Sequence, residues 1–187
     1  MRLLVALAVW GMANTASAQP VAELPSAVSA FRNACLTGGL DVAGRPAALV
    51  AAGWTKTEST TVDVSKLGVS RAIDRNYDFS KPLSSEQWSG TVDGRPAMVV
   101  LASFPEKRRY PQLCALVVDG INNAMPYSAE LKAAFEEIGI KAKSVDLVHY
   151  YEFAGKAGVD KQPVRGEIFT RSLASSGKNS MHIYVAY

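Results

Sequence analysis

Two cysteines, Cys35 and Cys114, limit this chain's fold more tightly than any other feature. Cys35 lies in Ala30-Phe31-Arg32-Asn33-Ala34-Cys35-Leu36. Leu24, Val28, Phe31 and Cys35 recur at spacings of 4, 3 and 4. That gathers them on one face of a helix and leaves Arg32 and Asn33 on the other side. Cys114 lies in Leu113-Cys114-Ala115-Leu116-Val117-Val118, which reads as a buried strand. Joined, the two cysteines pin an early helix to a mid-chain sheet. The bridge closes a loop of 79 residues, 114 minus 35. On the chain-entropy model that constraint is worth roughly 4 kcal/mol.

The start of the chain says why the pair should be oxidised. Arg2 is a short basic region, 3–13 is an apolar run of 11 residues, and Ala16-Ser17-Ala18 supplies small residues for cleavage. The predicted product begins at Gln19, so 1–18 is the export signal and 19–187 a single domain. The apolar run is short of the roughly 20 residues that cross a bilayer. No later stretch is long and apolar enough for a membrane helix. Exported cysteines meet an oxidising compartment, periplasmic or extracellular, and commonly pair there. With no C-x-x-C, a redox-active dithiol is the weaker reading.

Export removes Arg2 from the 20 basic residues, leaving 19 against 17 acidic, a net charge of +2. That balance gives no reason to expect nucleic acid as a partner. A 169-residue product with ordinary apolar content suits one substantial core.

The rest of the pattern predicts an α+β fold. A first helix is expected over 25–37, stopped by Gly38-Gly39. A second is expected over 46–52, ended by Gly53 with Trp54 tucking inward. Residues 55–83 read as a long surface connection, with an edge strand over 60–64. Strands at 86–92 and 96–104 flank Asp93-Gly94, a strong hairpin signal. The second of these and 113–118 are apolar on both faces, as central strands covered on both sides are. A third helix, capped by Ser128, spans 129–138, with Leu131, Phe135 and Ile138 as its buried stripe. Strands at 145–153, 164–173 and 181–187 close the chain. The sum is an antiparallel sheet of about six strands, with two or three helices packed on it. A weak echo links Leu49-Val50-Ala51-Ala52-Gly53-Trp54-Thr55-Lys56 with Phe135-Glu136-Glu137-Ile138-Gly139-Ile140-Lys141-Ala142. It suggests two helix-plus-three-strand halves, although so few matching positions favour coincidence.

Catalytic signatures are scarce. The chain has no G-x-S-x-G, no H-E-x-x-H and no glycine-rich phosphate loop. Ser175-x-x-Lys178 falls in a hairpin loop, without the companion motifs that would make it catalytic. His149 alternates in phase with Val145, Leu147, Tyr151 and Phe153, and is read as a partly buried structural histidine. His182 has the opposite phase from Met181, Ile183 and Val185 and is expected to face solvent. No spacing requires a metal or a cofactor. Two surfaces remain. One is a mixed face on the C-terminal strands, carrying Tyr150, Glu152, Arg165, Glu167, Arg171, His182 and Tyr184 if their phases coincide. Such a face suits a polar ligand or a partner, and the wet side of an antiparallel sheet looks the same. The other is Lys107-Arg108-Arg109, beside Tyr110 in a proline-bounded loop. It is a possible contact for anionic lipid, lipopolysaccharide or an acidic protein, and equally a solvated loop.

The export signal, the Phe31-x-x-x-Cys35 helix, the later Ala52-Gly53-Trp54 and the single distant Cys114 together resemble small exported proteins of Gram-negative bacteria that carry no assigned activity. The resemblance implies a periplasmic location and the same helix-to-strand disulfide, and it adds no site residue. The leading expectation is a non-catalytic binding or interaction protein whose partner is an envelope protein or a small ligand. The first alternative is a small periplasmic hydrolase with a site around His149, Glu152, Glu167 or His182. The second is a peripheral binder of anionic membrane or lipopolysaccharide through 107–109.

Overall fold

The computed structural model of the 187-residue chain describes residues 26–37, 40, 44–57, 82–140, 145–147, 150–157, 161–173 and 178–187. The expected export signal and the strand expected at 60–64 lie outside these residues. Among those described, no helix is long and apolar enough to cross a membrane.

Helix α1 (Ala27–Phe31) starts at Ser26, whose Oγ accepts from the Ser29 backbone N–H at 3.1 Å. It runs on into a π-helical turn, Arg32–Leu36, closed by a bond from the Thr37 N–H to the Arg32 carbonyl. Val28, Phe31 and Cys35 are buried and Arg32 and Asn33 are exposed, as the spacing predicts. Helix α2 (Arg45–Ala51) is next along the chain. It ends in a left-handed Gly53 (φ 83°) and a bond from the Trp54 N–H to the Leu49 carbonyl at 2.9 Å, which turns Trp54 into the core.

Eight strands, two more than expected, form one antiparallel sheet among the described residues. They are β1 (Thr55–Thr57), β2 (Ser84–Val92), β3 (Arg95–Ser103), β4 (Gln112–Asp119), β5 (Val145–Leu147), β6 (Tyr150–Ala157), β7 (Gln162–Leu173) and β8 (Lys178–Ala186). Their order is β1-β2-β3-β4-β8-β7-β6-β5. Two four-stranded meanders thus meet with their last strands side by side at the centre. The β2–β3 turn places Asp93 (φ 50°) and Gly94 (φ 70°) both in the left-handed region, the type I′ geometry that an Asp-Gly pair favours.

Helix α3 (Met125–Glu137) connects the two meanders along the chain and packs against α1 and, through Phe135, against Phe153 of β6. It begins one turn earlier than the serine cap suggests. Pro126 occupies its first turn, the Asn123 Oδ1 accepts from the Met125 N–H, and the Ser128 hydroxyl donates to the Met125 carbonyl from inside the helix. Glu130 reaches α1 and accepts from the Ser26 hydroxyl at 2.9 Å. Helix α3 ends as α2 does: Gly139 is left-handed (φ 79°) and the Ile140 N–H bonds the Phe135 carbonyl at 3.0 Å. The echo between the two helix ends is therefore the same six-residue capping turn. Each capping turn leads into a meander of four strands, not three.

The C-terminal half corrects the sequence reading most. Residues 145–153 do not make one strand. They make β5 and the start of β6, antiparallel, with Leu147 opposite Tyr150. The chain reverses between them without a Gly, Pro or Asn to mark the turn. The gap left between the strands expected at 145–153 and 164–173 also shrinks, because β6 runs to Ala157 and β7 begins at Gln162.

Among the described residues, the three helices lie on one face of the sheet. Phe31, Phe135 and Phe153 follow one another there, the first pair edge-to-face and the second tilted, with centroids 6.3 and 5.3 Å apart, so one aromatic line joins α1, α3 and β6. The disulfide Cys35–Cys114 crosses the same interface with its Cα atoms 5.6 Å apart, and both cysteines are fully buried. The expected pairing is thus present. The opposite face of the sheet carries a second buried cluster, including Val100, Ala102, Leu113, Ala115, Tyr184 and Ala186. Strands β3 and β4 are therefore covered on both sides, as their composition predicts.

Candidate functional site

Strand register decides whether the mixed face on β6, β7 and β8 exists. Tyr150 pairs with Phe169, which pairs with His182. Glu152 pairs with Glu167, which pairs with Tyr184. Arg171 pairs with Ser180. The three phases do coincide. The Arg165 guanidinium lies between two carboxylates, 2.7 Å from Glu152 and 3.7 Å from Glu167. Burial alone would lower the Arg165 pKa. The Glu152 charge and hydrogen bond, then Glu167 and Tyr184, outweigh it and hold the guanidinium above its ordinary value.

The face is not a wet side. Glu167 and Tyr184 have no exposed surface and His182 retains 4%. The expectation that His182 faces solvent fails because both faces of β8 are covered. His182 stacks on Phe169 at 5.0 Å, and its Nε2 lies 2.8 Å from the Ser180 hydroxyl. Ser180 went unnoticed in the sequence, since its pairing with His182 depends on the strand's i, i+2 geometry. The serine–histidine contact has the length of a nucleophile–base pair. Ser180 is fully buried, however, so no substrate reaches it without a rearrangement. His149 lies outside the described residues.

The basic loop is braced against the protein. The Arg108 guanidinium lies 5.3 Å from the Phe104 ring centre, and that of Arg109 lies 5.5 Å from Tyr110. Both rings are buried. Two of the three predicted cations therefore rest over aromatic faces, which holds them near the surface rather than projecting them. Lys107 is exposed.

A third location has no counterpart in the sequence reading. Between α2 and the ends of β2, β3, β4 and β8 lies a cleft of about 170 Å³. The polar row on its floor arises from register: Ser84 pairs with Ser103, and Ser103 with Gln112. Gln112 exchanges backbone hydrogen bonds with Tyr187, at 2.9 and 3.1 Å. The two serine hydroxyls are 2.6 Å apart. One row inward stands Glu86, opposite Leu101. Its Oε1 accepts from the Lys56 ammonium at 2.6 Å. Its Oε2 is buried and has no hydrogen-bond partner among the described residues.

Arg45 forms the cleft's inner wall and is only 3% exposed. Its Nη1 donates to the carbonyls of Ala34 and Cys35, and its guanidinium lies 5.3 Å from the Tyr187 ring centre. A helix end leaves carbonyls without intrahelical partners. Here a cation from the next helix takes them up, so Arg45 is anchored to the backbone of the disulfide itself. The sequence offers one weak signal for this: an arginine at a helix start, where a cation is not favoured by the dipole.

No family model, no curated protein and no solved structure matches the chain, so the functional reading rests on the geometry of these sites.

Proposed function

We propose that this is an exported, non-catalytic binding protein of a bacterial cell envelope, and that its ligand seats in the cleft between α2 and the strand ends. One observation carries the reading. Glu86 Oε2 is a buried carboxylate oxygen with no partner among the described residues, and it lines a cleft floored by Ser84, Ser103 and Gln112. An unsatisfied buried acceptor costs about 1–3 kcal/mol, so a ligand that donates to it recovers a penalty the free protein carries. A second opening of about 320 Å³, between the first helix, the end of α2 and β2 and lined in part by Asn33, Trp54 and Thr91, holds no such unpartnered buried acceptor among the described residues. Export is supported by the N-terminal sequence pattern and by the disulfide.

The test is native mass spectrometry on protein purified without denaturation from the exported fraction, beside Glu86→Leu. The expected result is a non-covalent adduct on the wild type that the variant lacks. A wild-type sample with no adduct, which also captures nothing in a crosslinking pull-down from the same fraction, overturns the reading.

The hydrolase alternative has one observation in its favour, the Ser180–His182 contact. It requires an opening to buried Ser180. A burst of covalent labelling by a fluorophosphonate probe, abolished in Ser180→Ala, would establish it over the binding reading.

A further inference from the structure

We infer that the cleft takes a single neutral, hydroxyl-rich ring: one sugar unit, either free or at the end of a glycan. This rests on the proposal that the cleft is a binding site and names the class of its ligand.

The first argument is size. About 170 Å³ is below the roughly 300 Å³ at which pockets for drug-sized ligands begin. That volume suits one small ring, whereas a peptide or an acyl chain would leave most of its length outside it.

The second is charge. Arg45 and Glu86 line the same cleft, with Lys56 on the outer oxygen of Glu86. A cationic ligand meets the Arg45 guanidinium, and an anionic one meets the Glu86 carboxylate. The repulsion is moderate rather than prohibitive, because the Glu86 side chain keeps 33% of its surface exposed. A neutral ligand meets neither.

The third is hydrogen bonding. An ionised carboxylate only accepts, so Glu86 Oε2 calls for a donor. Ser84 and Ser103 share one hydrogen between their oxygens and keep a second hydrogen and several lone pairs for a ligand. The Gln112 amide both donates and accepts. A row that alternates donors and acceptors this way matches vicinal hydroxyls, each of which is both. Pro46 and Leu101 supply apolar walls for the ring's C–H surface.

The experiment is saturation-transfer NMR on the full-length exported protein with five probes: methyl glucoside, N-acetylglucosamine, chitotetraose, glycine and acetate. The expected result is transfer to at least one neutral sugar and none to glycine or acetate. Glu86→Leu, which removes the acceptor and keeps an apolar side chain of similar reach, should weaken that sugar at least ten-fold. Its circular dichroism and melting should match or exceed the wild type. A monosaccharide that binds as tightly as chitotetraose marks a free-sugar site, and preference for the oligosaccharide marks a glycan end.

Two failures are distinguishable. Glycine or acetate binding that is lost in Glu86→Leu overturns the sugar class and leaves the cleft as a site. Sugar binding that is unchanged in Glu86→Leu, or no binding by any probe, overturns the sugar assignment at this cleft. Adduct formation in native mass spectrometry then decides whether the cleft binds anything.

Discussion

The two halves of the sheet start alike and are held together differently. Each comes after a helix that ends in the same glycine-capped turn, at Gly53 and at Gly139, and each is a four-stranded meander. The first half secures its central strands with apolar side chains on both faces and with a disulfide to the π-helical turn that follows α1. The second buries charge instead, placing Arg165 between Glu152 and Glu167. An ion pair withdrawn from water adds a demand of its own, because its desolvation is repaid only by close contact. The second half should therefore be the more sensitive to small changes in backbone position.

The largest expected effect tests the first half. Replacing both cysteines by alanine should cost about 3–5 kcal/mol, through loss of the 79-residue loop constraint. Urea denaturation, with and without reductant, measures it. A loss below about 1 kcal/mol would mean that apolar packing alone holds that half.

The next prediction sets the halves against each other. A Cβ on Gly166 in β7 would fall inside contact distance of the Phe135 ring and 3.0 Å from the Tyr184 carbonyl oxygen. On Gly90 in β2 its three nearest atoms would all belong to the Trp54 ring, the first at 2.7 Å. Gly166→Ala should therefore cost about 2–3 kcal/mol and Gly90→Ala about 1, since overpacking against backbone relaxes less than overpacking against one side chain. Equal losses in thermal melts would remove the asymmetry.

Glu167→Gln should cost about 1–3 kcal/mol, because Arg165 then loses one of its two flanking anions in a buried place. Glu152→Gln should cost less, since that carboxylate is partly exposed and its pairing is screened. The order of the two melting temperatures is the measurement. The smallest effect tests the resemblance between the halves. Gly53→Ala and Gly139→Ala each force a side chain into left-handed backbone and should cost about 1 kcal/mol apiece. Neither added Cβ meets a neighbour within 4 Å, so the two losses should agree.

The first half was largely legible in the sequence and the second was not. Asp93-Gly94 marked its hairpin through the backbone conformation those residues prefer. Two-faced apolar runs marked β3 and β4 because burial on both sides leaves no alternation to misread. In the second half Val148-His149 separates β5 from β6 and has the composition of a strand interior, so the reversal left no trace. His182 and Tyr184 alternate with apolar residues, which in an open sheet means exposure. Here that face is covered, and polarity marked a buried network instead. The cleft was invisible for a different reason. Ser84, Glu86, Gln112 and Tyr187 come together only through strand order, and Arg45 acts on the carbonyls of a helix that precedes its own.

The strand order also sets a schedule for folding. β8 comes after the other seven strands along the chain, yet it lies between β4 and β7. A chain threaded out N-terminus first delivers the middle of its sheet last. Cys35 and Cys114 both precede that strand, so the covalent tie can form while the central gap is still open. The oxidised first half would then present β4 as a waiting edge, and a chain stalled before residue 178 would expose it to other copies.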